Sequence, residues 1–246
     1  MHSIILAAGK GTRMVPLSHY IPKLLIPVRG KPVLAYILES MKSLPIKTHY
    51  IVASNHLSTI EKYIQKVDGH DNVKVIQALG WETGGDLAIA MEEIGVDDDV
   101  LILNGDTITD FPLADLYKFH KEKGAEVTIA VFSLSDEKQL KAMGVVEVDK
   151  EGKVTNFVEK PSEVKKIPSL ASVGIYIFDK KFMERRREYL TPRKIKLEMS
   201  LFPKLVAEGK LYAYVGTPKY RWDIGTLESY LHAETFMRDL EGVIQK

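Results

Sequence analysis

The sequence predicts an α/β fold: a mostly parallel sheet covered by helices on both faces, joined to a β-rich second part. Two patterns carry that expectation. From Ser3 to Lys123 short apolar runs alternate with segments of helical spacing, the signature of parallel strands linked by crossover helices. After Gly124 strand-like segments instead follow one another directly, and Asp149-Lys150-Glu151-Gly152-Lys153 reads as a hairpin turn between two of them. No fixed-period repeat, low-complexity tract or obvious linker interrupts the chain, so residues 1–246 are expected to form one continuous domain.

Residues Ser3 to Ala7 are continuously apolar, as for a strand buried on both faces, and they break into the glycine-rich Ala8 to Thr12. A helix is expected after Lys31-Pro32, where Val33, Ile37, Leu38 and Met41 recur at helical spacing behind a first-turn proline. The alternation continues with strand Tyr50 to Ala53, helix Leu57 to Val67, strand Val73 to Ile76, helix Asp86 to Ile94, strand Val100 to Leu103 and helix Leu113 to Lys123. Strands are then expected at Val127 to Ser133, Gly144 to Val148, Val154 to Glu159 and Ser172 to Phe178. Helices at Lys180 to Glu188 and Leu197 to Ala207, strand Leu211 to Val215 and a closing helix from Leu227 to Leu240 complete the chain.

Composition narrows the function. Lys and Arg total 34 against 33 Asp and Glu, and the net charge of +1 supplies no long-range field for nucleic acid or an anionic membrane. Phosphate chemistry would therefore depend on locally placed cations. Cysteine is absent, which removes disulfides and thiolate metal sites and is compatible with a reducing cytosol. No apolar run reaches the roughly 18 to 20 residues of a membrane span. The opening run is too short for a secretory leader and passes straight into glycines and cations, so a cytoplasmic location is expected.

The strongest local signal is Leu6-Ala7-Ala8-Gly9-Lys10-Gly11-Thr12-Arg13, a buried strand opening into two glycines, a hydroxyl and two cations. Glycines let backbone N–H groups turn toward an anion, and the cations balance its charge. Two familiar phosphate loops do not fit. A Walker loop needs glycine where Ile4 stands and Ser or Thr directly after Lys10, and a dinucleotide fingerprint needs a third glycine where Met14 stands. The longer stretch LAAGKGTRMVPLSHYIPKLLIPVRGKP, with Gly-x-Gly-Thr-Arg, Pro22-Lys23 and Pro27-Val28 before Lys31-Pro32, resembles the amino-terminal signature of the sugar-1-phosphate nucleotidyltransferases. Further landmarks follow in that family's order: an apolar strand ending in Asn104-Gly105-Asp106, then Val158-Glu159-Lys160-Pro161, and Trp222-Asp223-Ile224-Gly225-Thr226, where the family's Trp-x-Asp-Ile-Gly-Thr has lost its spacer.

That resemblance implies a Rossmann-like three-layer sandwich with a mostly parallel mixed sheet and a β-rich sugar-binding extension. Residues 1–123 would mainly bind nucleotide and residues 124–246 mainly sugar phosphate. It implies that Arg13 neutralises departing pyrophosphate, that Lys23 contacts the reacting phosphates, and that Asp106 and Asp223 together hold Mg²⁺, an ion that shares its remaining positions with water and substrate phosphates. Leu6, Ala8, Gly9, Gly11, Thr12, Gln77, Gly84 and Gly85 are the implied nucleotide-binding positions, with the Gln77 amide as a base reader. Gly144, Glu159, Lys160, Ser172 and Gly174 are implied around the sugar phosphate. In this chain Trp81 precedes the turn at residues 82–87, Asp86 replaces a small residue and is read as either a base-site group or a helix cap, and Ser172 stands where many relatives have Asn.

The implied partners are a nucleoside triphosphate and a sugar 1-phosphate, without nucleic acid or membrane, and homo-oligomer formation is left open. The implied reaction makes a nucleotide-sugar and pyrophosphate. Alternatives from the same residues are a cytidylyltransferase acting on phosphocholine or a similar alcohol phosphate, and a non-catalytic nucleotide-sensing subunit. The scattered histidines make no zinc pattern, Asp97-Asp98-Asp99 reads as a solvated turn, and Arg185-Arg186-Arg187 as an exposed helix face.

Overall fold

The computed structural model describes residues 1–67, 71–95 and 98–244, with side chains through residue 236. In chain order the first half holds β1 (His2–Leu6), α1 (Leu17–Tyr20), β2 (Pro27–Val28), β3 (Lys31–Pro32), α2 (Val33–Ser40), β4 (His49–Ala53), α3 (Leu57–Lys66), β5 (Val73–Gln77), α4 (Glu82–Ile94), β6 (Val100–Asn104), β7 (Thr107–Thr109) and α5 (Leu113–Lys123). The second half holds β8 (Val127–Leu134), α6 (Glu137–Leu140), β9 (Gly144–Val148), β10 (Val154–Glu159), β11 (Ser169–Phe178), α7 (Lys180–Arg185), α8 (Leu197–Ala207), β12 (Leu211–Val215), β13 (Arg221–Asp223) and α9 (Leu227–Ile244).

One nine-stranded sheet takes strands from both halves, in the order β10-β9-β11-β6-β1-β4-β5, with β8 on the other side of β11 and β12 beyond it. The pairings β5–β4–β1–β6 and β8–β12 are parallel, whereas β11 runs against β6, β8 and β9, and β10 runs against β9. All strands but β11 and β10 therefore share one direction, the mostly parallel mixed sheet that the sequence predicts. Alternation along each strand divides the core into two layers. Ile5, Leu101, Leu103 and Ile175 meet α2, α3, α5 and α9 on one face, and Ile4, Ile102, Tyr176 and Phe178 meet α4, α7 and α8 on the other. Each fully enclosed aliphatic side chain contributes about 1.5–3 kcal/mol, and both layers are dense with them.

Three local departures from the sequence expectation matter. Helix α4 begins at Glu82 rather than Asp86, because Asp86 does not cap it from outside but lies within its first turns, buried, accepting the Trp81 N–H at 3.0 Å. The expected helix through Glu188 ends at Arg185 and passes into a single 3₁₀ turn over Arg186–Glu188. The short antiparallel ribbon of β7 with β13 lies outside the main sheet and was not predicted at all.

The charge runs are more committed than the sequence suggests. Asp98 pairs with the amino terminus at 2.8 Å and Lys47 at 2.9 Å, and buried Asp99 pairs with Lys121 at 2.9 Å, so these are structural ion pairs rather than a solvated turn. Asp97 lies outside the described residues. Arg185 pairs with Glu126 and Arg187 with Glu92. Among the described residues no helix is long and apolar enough to cross a membrane.

Candidate active site

Ligands of open α/β sheets collect beyond the carboxyl ends of parallel strands, and β1 and β6 end side by side here. Leu6 lies opposite Asn104, and the Gly105 N–H donates to the Leu6 carbonyl at 2.8 Å. Beyond β1, Gly11 in a left-handed conformation opens a 3₁₀ turn over Thr12–Met14 that buries Met14. The Ser18 hydroxyl, donating to the Gly11 carbonyl at 2.8 Å, ties down the loop. Lys23 sits on a second 3₁₀ turn anchored by buried Leu24, with Nζ 3.4 Å from Asp106 Oδ2.

Asp106 follows β6 after Gly105 and leads into β7. The ribbon pairs Thr107 with Asp223, and the Ile224 N–H donates to the Asp106 carbonyl at 2.7 Å. Two aspartates from distant parts of the chain are thereby fixed at one strand end. A Cβ built on Gly225 would stand 2.4 Å from Asp223 Oδ1 and 3.2 Å from Arg13 Nη2, so only glycine leaves room for both groups to meet there. Partial desolvation in the cleft raises the Asp223 pKa from the ordinary aspartate value, and the neighbouring Asp106 charge raises it further against the pull of Arg221, Lys23 and Arg13. The arrangement concentrates negative charge on two oxygen-donor side chains and surrounds it with cations.

The second part of the cleft exists because β11 is shared. On one side it pairs with β8, while on the other its first half pairs with β9 and its second half with β6. Between these halves the register shifts at Ser172 to Tyr176, and Gly174 takes φ +84°. A Cβ on Gly174 would fall 2.4 Å from Asn104 Nδ2. The opening gathers Gly144, Glu159, Lys160, Ser172 and Gly174 with Tyr176, Glu198, Arg13, Asp106, Arg221 and Asp223 around a cavity of about 480 Å³. Glu159 has its pKa raised by desolvation and then by the Glu198 charge, while Lys160 Nζ stands 3.9 Å from Glu159 Oε1 and stays largely exposed.

A contiguous cavity of about 460 Å³ is lined by Leu6, Ala8, Gly9, Lys10, Gly80, Glu82, Thr83, Asp86, Asn104, Asp106 and Lys194. The two share Glu82, Thr83, Asn104 and Asp106. Of the predicted nucleotide positions, Leu6, Ala8 and Gly9 line this cavity, whereas Gly11 lines a small recess with Lys23 behind it. Thr12 lies on the 3₁₀ turn, and Gln77 is exposed at the end of β5 and lines neither cavity. Gly84 and Gly85 are buried, their N–H groups both directed at the Ile195 carbonyl, at 3.0 and 3.3 Å. Those N–H groups serve the contact between α4 and the segment at residues 193–197.

Sequence reasoning missed Arg221, Glu198 and Thr83. Thr83 donates to Glu198 Oε2 at 2.8 Å and accepts the Leu197 N–H at 3.0 Å, and the Tyr176 hydroxyl approaches Glu198 Oε1 at 3.5 Å. Arg221 makes no side-chain hydrogen bond or ion pair among the described residues, and its Nε is enclosed without a partner. Burial lowers its pKa, opposed by the charges of Asp223 and Asp106. Only the position of Arg221 next to Trp222-Asp223 hinted at a role.

Comparison with known proteins gives a consistent result. A nucleotidyl transferase family model matches residues 2–239. The chain is 34% identical over 248 residues to a UTP–glucose-1-phosphate uridylyltransferase of Synechocystis sp., covering 95% of this chain and 62% of that protein. It is 31% identical over 237 residues to mannose-1-phosphate guanyltransferase beta-A of Xenopus laevis, covering 94% and 63%. The chain thus spans less than two thirds of the length of these relatives. A crystal structure of a Bacillus anthracis protein assigned as a glucose-1-phosphate thymidylyltransferase, in complex with sucrose, superposes with TM-score 0.84 at 21% identity, over 97% of this chain and 96% of that one.

Proposed function

The chain belongs to the nucleotidyl transferase family, and from that premise we propose that it joins a nucleoside triphosphate to a sugar 1-phosphate, releasing pyrophosphate and forming a nucleotide-sugar. The observation that carries the proposal is the meeting of Asp106 and Asp223 through the β7–β13 ribbon, at the point where two cavities join and beside Arg13 and Lys23. The cavity holding Leu6, Ala8, Gly9 and Lys10 is assigned to the triphosphate. The cavity holding Gly144, Glu159, Lys160, Ser172 and Gly174 is assigned to the sugar phosphate. Residues 1–123 and 124–246 are its mainly nucleotide-binding and mainly sugar-phosphate-binding halves. Glu82, Thr83 and Asp86 line the 460 Å³ cavity and are assigned to base recognition here, in place of Gln77, which lines neither cavity.

A sugar phosphate with second pKa near 6 is largely dianionic at pH 7, so its oxygen attacks the α-phosphorus without a general base. A new P–O bond forms as the α–β P–O bond breaks and pyrophosphate leaves. The obstacle is mutual repulsion of the anions, which positioning and charge balance overcome. Arg13 and Lys10 offset charge on the departing pyrophosphate, Lys23 and Lys160 orient the reacting phosphates, and Glu159 accepts hydrogen bonds from sugar hydroxyls. Asp106 and Asp223 fit Mg²⁺: both are oxygen donors, and their mutual repulsion, visible in the raised Asp223 pKa, is what a divalent cation relieves. When bound, the ion supplies charge neutralisation across both substrates. The proposal also puts the chain in the cytoplasm, where both substrates are metabolites.

Pyrophosphate release over a matrix of four nucleoside triphosphates and a panel of phosphorylated acceptors tests the reading. Release with at least one sugar 1-phosphate is expected. Activity confined to phosphocholine, or triphosphate binding with no release under any acceptor, would overturn it.

A further inference from the structure

Arg221 lines the acceptor cavity, and its charge has no part in the transfer described above. It emerges from β13 two residues before Asp223 and lines the acceptor cavity with Asp106, Asp223 and Tyr176. Its side chain has no hydrogen-bond or ion-pair partner among the described residues, and its Nε is sealed from solvent. The side chain is half-buried against the cavity, and Asp223 and Asp106 favour its charge from beyond ion-pair distance, which leaves its N–H donors for an anion in the cavity.

Resting on the nucleotidyl-transfer reading above, we infer that Arg221 is the anchor for the phosphate of the sugar 1-phosphate. A guanidinium presents parallel N–H donors that match two phosphate oxygens, which fixes direction as well as charge. The anion it receives is the phosphate, because Arg221 lines the cavity with Asp106, Asp223 and Arg13 at the strand end, whereas Glu159 and Glu198, with Lys160 and Lys196 among them, line it elsewhere. Those two carboxylates lie close enough for one to raise the pKa of the other, and they offer acceptors to neutral sugar hydroxyls. Arg221 near the strand end and the glutamates beyond it thus set the polarity of the cleft, with phosphate toward the aspartates and hydroxyls away from them.

The test compares wild type with Arg221→Gln and Arg221→Lys in steady-state pyrophosphate release, using the sugar 1-phosphate that wild type turns over. Arg221→Gln should raise the KM for that acceptor about tenfold to a hundredfold and leave the triphosphate KM within twofold. Arg221→Lys should recover part of the loss, since it restores charge without the fork, and added guanidinium should partly rescue the glutamine variant. Isothermal titration of the same sugar 1-phosphate in the absence of triphosphate should show the same ranking, and it serves if the glutamine variant folds poorly, because the lysine variant can then be compared with wild type alone. Unchanged acceptor KM, equal loss for both substrates, or a glutamine variant that merely loses preference for a uronic acid 1-phosphate would each overturn the inference. A wild type that releases no pyrophosphate with any sugar 1-phosphate would instead sink the functional reading on which it rests.

Discussion

Replacing Asp223 by Asn should separate catalysis from stability, because the structure makes this side chain useful and unfavourable at once. The amide keeps the shape of the side chain and removes its charge. If losing one preorganised electrostatic contact costs about 2.7–4 kcal/mol of transition-state stabilisation, turnover should fall about 10²- to 10³-fold, at roughly 1.36 kcal/mol per decade. Folding should move the other way. Partial desolvation and Asp106 raise the Asp223 pKa, so the folded protein holds that proton more tightly than the unfolded chain does. The ionised group therefore costs stability above its folded pKa, and the cost fades as pH falls from that value toward the ordinary aspartate range. The carboxylate retains solvent contact, so the penalty is screened, and the metal-free variant should melt at the same temperature as wild type or slightly higher at pH 7. Pyrophosphate release at saturating Mg²⁺ and thermal unfolding in chelator read the two effects. A kcat within tenfold of wild type, or a melting temperature lowered by several degrees, would refute the reasoning.

Other consequences are equally open to measurement. Because burial and Glu198 raise the Glu159 pKa, the acid limb of kcat/KM should lie above the usual glutamate range, and Glu198→Gln should move that limb to lower pH; a limb that does not move would separate the two residues. Gly174→Ala combines a φ of +84° with a clash against Asn104, and unfolding by urea should show a loss of at least about 1–3 kcal/mol, whereas wild-type stability would mean that β11 relaxes freely. Asp86→Ala leaves the Trp81 N–H without its acceptor, and a rise in triphosphate KM with about 1–3 kcal/mol of lost stability is expected; an unchanged triphosphate KM would remove the segment at residues 79–82 from nucleotide binding.

Much of the layered architecture was legible because buried strands and amphipathic helices write their periods into the sequence over five or more residues. β1, β4, β5 and β6 lie where the apolar runs at Ser3, Tyr50, Val73 and Val100 predict them. The ribbon of β7 and β13 was not legible, since three-residue strands carry no period and their pairing joins Thr107 to Asp223 across half the chain. The glycines at 84 and 85 misled for a related reason. They look like a turn, but they lie inside α4, where Thr83 and the adjacent backbone N–H groups meet the residue 195–197 segment, a contact that leaves no local trace. The amide chemistry of Gln77 suits a base reader, but sequence alone does not show that it lies exposed at the end of β5 and lines neither cavity. Arg221 escaped notice because a solitary arginine in sequence says nothing about whether it finds a partner.

All strands of the large sheet have been made once the chain reaches Val215, yet Asp223 arrives only afterwards, on β13. Completion of the scaffold and completion of its chemistry are therefore distinct events in synthesis. A nascent chain or a proteolytic fragment ending between them would own every main-sheet strand while lacking half of the acidic pair, together with the α9 residues that cover one face of the sheet.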